Sequence, residues 1–78
     1  MPVKPLHAMA IGETACVAEF ATDTHLKSRF MEMGVIPGAQ IRMIKKTPFN
    51  GPLEIKIRSF YISLRYEDAN WILVSGDE

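Results

Sequence analysis

Residues 53 to 58 alternate without a fault. Leu53, Ile55 and Ile57 fall on one side of an extended chain, and Glu54, Lys56 and Arg58 on the other. Successive side chains of a β-strand point to opposite faces, so this stretch predicts a strand with one face on a core and the other in water. A helix cannot use the pattern, because a period of two scatters apolar residues around 3.6 residues per turn. Residues 60 to 66 repeat it, with Phe60, Ile62, Leu64 and Tyr66 alternating with Tyr61, Ser63 and Arg65. Pro48, Asn50, Gly51 and Pro52 punctuate the chain just before this pair, which makes that segment a loop.

Three more segments read as strands: residues 13–20, 39–46 and 71–75. In the first, Val17 and Phe20 are three apart and can share a face only across a bulge. The last is apolar on both faces, as expected of a strand covered on both sides. Between the first two lies a helical signal. Thr22, Asp23 and Thr24 supply capping side chains, and Leu26, Phe30 and Met33 follow at i, i+4 and i+7, one face of a short helix. Gly34 can adopt the left-handed conformation that closes a helix, and Pro37 prevents its resumption. Residues 67–70 read as a polar turn. The fold class expected is all-β with one short inserted helix, a small five-stranded SH3-like barrel, since closure removes exposed edges from short strands. An OB-fold is the alternative, although its helix usually falls later in strand order.

At 78 residues the chain has room for one domain, spanning 1–78. A domain of this size buries only a little over ~60% of its unfolded surface, so association as a homo-oligomer is left open as a second source of burial. Cys16 is the single cysteine, which excludes an intrachain disulfide and a cysteine-based zinc site and fits a reducing, cytoplasmic setting. Nine basic residues balance nine acidic ones; with no global field to attract a polyanion, no nucleic-acid partner is expected. Pro2, Pro5, His7 and Gly12 interrupt the N-terminal segment, which lacks the apolar core of a signal peptide. No stretch approaches the ~18 apolar residues of a membrane span, so no direct membrane insertion is expected.

Residues 26–38, Leu-Lys-Ser-Arg-Phe-Met-Glu-Met-Gly-Val-Ile-Pro-Gly, resemble the signature of the FeoA family, an amphipathic helix ending in an apolar-Gly-apolar-x-Pro-Gly turn. The resemblance continues through Pro48, Gly51-Pro52-Leu53, Ile62-Ser63-Leu64-Arg65 and Glu67-Asp68-Ala69, and covers roughly residues 6–74. Two turns depart from it: Asn50-Gly51 stands where Gly-Asp is frequent, and Ser59-Phe60 where a glycine is common. The resemblance implies a five-stranded SH3-like barrel and a role in ferrous iron transport and iron homeostasis, a setting of transition metal ion binding. It also implies association with FeoB, a membrane iron transporter with a cytosolic GTPase domain.

The residues themselves favour binding over chemistry. Cys16, His7, His25, Glu67 and Asp68 are the candidate metal ligands, but their spacing fits no ligand motif, so no metal site and no cofactor is expected. Cys16 reads as a small buried hydrophobe and Met33 as a core residue. No nucleophile has a base and an orienting partner beside it, and no enzyme activity is expected. Lys27, Arg29 and Arg65 could each offer positive charge to a GTPase, but they read more simply as solvated surface. Trp71 should fill one end of the barrel. Gly34, Pro37 and Gly38 form a structural turn. The surface expected to meet a partner protein is Lys27, Met31, Val35 and Ile36. Two rivals stand beside this reading: a detached interaction module like the C-terminal segment of iron-dependent repressors, which needs a DNA-binding domain elsewhere, and a small nucleic-acid-binding barrel.

Overall fold

The computed structural model describes residues 2–21 and 25–76, with the side chain of His25 excepted. The expected caps, Thr22 to Thr24, lie outside the described residues. The chain runs through β1 (Val3–Pro5), a 3-10 turn (Leu6–Ala8), β2 (Thr14–Phe20), α1 (His25–Glu32), β3 (Gln40–Lys46), β4 (Leu53–Ile57), β5 (Phe60–Leu64), a single helical turn α2 (Tyr66–Ala69) and β6 (Ile72–Gly76). The strands form one antiparallel sheet in the order β1-β6-β2-β3-β4-β5.

This corrects the expected architecture. The sheet has six strands among the described residues, and β1 and β5 remain its two edges. It is consistent with an SH3-like fold but is not a closed five-stranded barrel. The additional strand is β1, in which Val3, Lys4 and Pro5 pair with Ser75, Val74 and Leu73 of β6. Because β6 lies between β1 and β2, it is covered along both edges, and Ile72 and Val74 are fully buried.

Alternation does the rest. Ala15 and Val17 of β2, Ile41 and Met43 of β3 and Leu53, Ile55 and Ile57 of β4 turn inward. Together with Phe30 of α1 they form one core, in which no polar or charged residue is buried among those described. Each fully buried Leu, Ile, Val or Phe contributes about 1.5–3 kcal/mol relative to exposure. The bulge expected in the first strand is present: the β2–β6 register shifts between Val17 and Glu19. It brings Phe20 back toward the core, where its ring stacks on Phe30 with centroids 5.8 Å apart.

The end of α1 explains two departures from expectation. The Gly34 amide donates to the Met31 carbonyl at 3.0 Å and the Val35 amide to the Phe30 carbonyl at 2.9 Å, the paired bonds of a Schellman motif. Gly34 stands at φ +95°, a conformation that glycine adopts without strain. This closure inserts Val35, with no exposed surface, against the core beside Phe30. Met33, expected on the core face, sits beyond the last helical residue and is 37% exposed.

Three further corrections are local. Cys16 is half-buried, because it alternates with inward Ala15 and Val17 and so lies on the outer face. Trp71 precedes β6 and is 39% exposed, its amide donating to the Asp68 carbonyl and its carbonyl accepting from the Ala21 amide. Residues 66–69 form a helical turn where strand end and polar turn were expected, with Ala69 fully buried.

Candidate partner-binding groove

The C-terminal turn of α1 and the β4–β5 hairpin meet in an open groove of about 640 Å³. Met31, Glu32, Met33, Gly34 and Ile36 line one wall, and Ile57, Arg58, Phe60, Tyr61 and Ile62 the other, so that one carboxylate, that of Glu32, borders an otherwise mostly apolar lining. The hairpin reaches this position through register. Ile57 pairs with Phe60, leaving Arg58 and Ser59 as a two-residue turn. Arg58 takes φ +56°, the positive value required at the first central position of a hairpin turn. Glycine would take that conformation more readily than arginine.

Four large apolar side chains are exposed around this groove: Met31 at 43%, Met33 at 37%, Phe60 at 62% and Tyr61 at 59%. Single exposed apolar residues are ordinary, but a contiguous group marks a binding surface. Phe60 and Ile62 share the inward face with Ile57 and Ile55, yet Phe60, at the end of an edge strand, stays mostly exposed. Among the described residues the outer edge of β5 pairs with no other strand, so its backbone amides and carbonyls are open to an added strand. The arrangement can therefore seat an apolar side chain and pair with an extended segment.

Of the residues expected at a partner surface, Met31 and Ile36 line the groove and Lys27 is exposed on α1. Val35 is buried and cannot present its side chain. Gly34 and Gly38 both hold positive φ, and Pro37 is exposed between the groove and β3. The hairpin wall was missed by sequence reasoning, although its signal was present. Adjacent aromatics in a strand must point to opposite faces, so either Phe60 or Tyr61 had to meet solvent.

Of the metal-ligand candidates, the side chain of His25 lies outside the described residues. Among the described residues no group of three or more His, Cys, Asp or Glu could hold a metal ion. His7 instead stacks on Tyr66, and its Nε2 lies 3.1 Å from Asn70 Oδ1. Arg29 and Arg65 are exposed on separate elements. No helix among the described residues is long and apolar enough to cross a membrane.

Residues 4–76 match the family model of the FeoA domain. The fold resembles a crystal structure described as an iron uptake regulatory protein, FeoA, with a TM-score of 0.85 and 23% identity over 96% of this chain and 97% of that one. It also resembles the solution structure of a FeoA-like protein from Clostridium acetobutylicum, with a TM-score of 0.89 and 24% identity over 100% of this chain and 91% of that one. A manganese-dependent transcriptional repressor gives a TM-score of 0.87 and 25% identity over 96% of this chain, but only 42% of the repressor. No curated protein matches the chain significantly.

Proposed function

This chain belongs to the FeoA family, and we propose that it serves ferrous iron uptake in the cytoplasm as an adaptor, binding the cytosolic part of a FeoB-type membrane transporter through the groove between α1 and β5. The observation that carries this reading is the convergence of Met31, Met33 and Ile36 with Phe60 and Ile62 around one open apolar groove. A buried apolar anchor in such a groove supplies most of an interface's energy, and the open edge of β5 supplies register. The reading is one of binding and requires no catalytic group from this chain.

The test is an NMR titration of the isotope-labelled chain with the soluble cytosolic domain of the transporter from the same organism. Amide shifts concentrated at 31–36 and 57–62, abolished by Met31→Ser with Phe60→Ser, are the expected result. Shifts elsewhere, or binding unaffected by that double substitution, would overturn docking through the groove.

A second reading follows from the repressor likeness: the same fold as an interaction module of a regulator. Assay of the chain against the DNA-binding portion of such a repressor distinguishes the two.

A further inference from the structure

One row of side chains crosses four strands on the solvent face of the sheet. Thr14 of β2 pairs with Arg42 of β3, Arg42 with Lys56 of β4, and Lys56 with Tyr61 of β5. Two cations are thus placed directly opposite one another, where like charges repel. Arg42, Lys56 and Arg58 line a shallow depression of about 360 Å³ with Thr14 and Gln40. No carboxylate among the described residues lines it, and the one ion pair among those residues, Lys4 with Glu13, lies elsewhere. In a chain with equal numbers of acids and bases, this is a local concentration of positive charge that no ion pair among the described residues neutralises, with Glu54, two residues from Lys56 on the same face of β4, the one acid on that strand.

Arg58 belongs to two surfaces. It lines this depression and also the apolar groove, so the two are continuous around the β4–β5 turn. We propose that the Arg42–Lys56–Arg58 shelf binds the carboxylates of an acidic segment of the protein partner, a segment whose apolar residue occupies the groove. The inference rests on the protein-binding reading above and specifies the partner's chemistry: an apolar anchor flanked by Asp or Glu. Guanidinium forks match carboxylates in bidentate geometry, and the hydroxyl of Thr14 and amide of Gln40 add neutral donors. A nucleic-acid strand fits less well. The Lys56 ammonium lies over the Tyr61 ring, 5.6 Å from its centroid, on the aromatic surface that a base would need for stacking.

The experiment titrates the labelled 78-residue chain with two peptides, hexaglutamate and Glu-Glu-Glu-Leu-Glu-Glu-Glu, following amide shifts at Arg42, Lys56 and Arg58. Both peptides are expected to shift these amides, the leucine peptide binding more tightly, and both should weaken as salt rises from about 50 to 200 mM. Arg42→Gln with Lys56→Gln should weaken both peptides at least tenfold. Lys56→Glu should abolish hexaglutamate binding while raising the melting temperature, because it turns a repulsive cross-strand pair into an attractive one. Met31→Ser with Phe60→Ser should remove only the advantage of the leucine peptide. Hexaglutamate binding that survives Arg42→Gln with Lys56→Gln overturns the shelf without touching the groove. Tighter binding of a uridine decamer than of hexaglutamate at the same amides overturns the acidic-peptide assignment.

Discussion

The imidazole of His7 stacks on the phenol ring of Tyr66, with centroids 4.4 Å apart and planes inclined by 23°. The two residues are far apart in sequence, and their stack, with the His7–Asn70 hydrogen bond at 3.1 Å, fastens the turn after β1 to α2. An aromatic pair contributes about 0.5–1.5 kcal/mol beyond its buried area. His7→Ala is therefore expected to lower unfolding stability by about 1 kcal/mol. Urea denaturation followed by circular dichroism would measure it, and an unchanged midpoint would show that the stack fastens nothing.

Gly34 has open space around the position of a Cβ, so no collision protects it. Its constraint is the backbone, at φ +95°. Gly34→Ala is expected to cost about 1–2 kcal/mol, or roughly 4–8 °C in melting temperature for each kcal/mol in a domain of this size. Gly34→Asn should cost less, because asparagine tolerates the left-handed region better.

The β3–β4 loop carries a similar tension. Phe49 and Asn50 both have positive φ, at 61° and 59°, and the Gly51 amide donates to the Pro48 carbonyl at 3.3 Å. A turn with two left-handed central residues favours Asn and Gly, yet Phe49 is fully exposed there. Phe49→Asn is expected to stabilise by about 0.5–1 kcal/mol. Gly51→Ala should do the reverse, since its Cβ would fall 2.6 Å from Thr47 Cγ2 and 2.8 Å from Thr47 Cβ. A cost of about 1–3 kcal/mol is expected. Thermal melts of the two variants should move in opposite directions.

Glu13 accepts a hydrogen bond from Lys4 Nζ at 2.8 Å and another from the Ala10 amide at 2.8 Å. The first, then the second, holds its carboxyl below its ordinary 4.5. The unfolded chain thus binds a proton here at a higher pH than the folded one, and stability rises with pH across that interval. The contribution is complete above the ordinary value and is lost as pH falls through the lowered folded value. Glu13→Gln should flatten the fall in stability below pH 4.5, leaving the profile above pH 6 parallel to that of the parent. Denaturant midpoints measured from pH 2 to 7 would test it.

The sequence made some of this architecture legible because the periods were long enough to read. Alternation at Leu53, Ile55 and Ile57 and helical spacing at Leu26 and Phe30 each report burial directly, and both appear in the core or packed against it. Residues 3–5 offered no period. Three residues that follow one proline and end in another become a strand only because β6, some seventy residues later, supplies partners, and a pairing of that range has no local signature. Phe60 was legible as inward-facing, but its exposure depends on β5 being an edge, a property of the whole sheet. The same holds for the groove. Its helix wall could be read from Met31 and Ile36, while its hairpin wall required knowing that β5 lies beside the helix end.

Val3 and Ser75 are neighbours across the β1–β6 ladder. The polypeptide therefore enters and leaves this fold at one place, like a loop whose two feet stand side by side. A longer chain can carry such a unit at an end or between two other segments without separating its own parts, and the helix, groove and cationic shelf travel with it unaltered. That portability accounts for how one shape can make up nearly all of the iron uptake regulatory protein and under half of the manganese-dependent repressor.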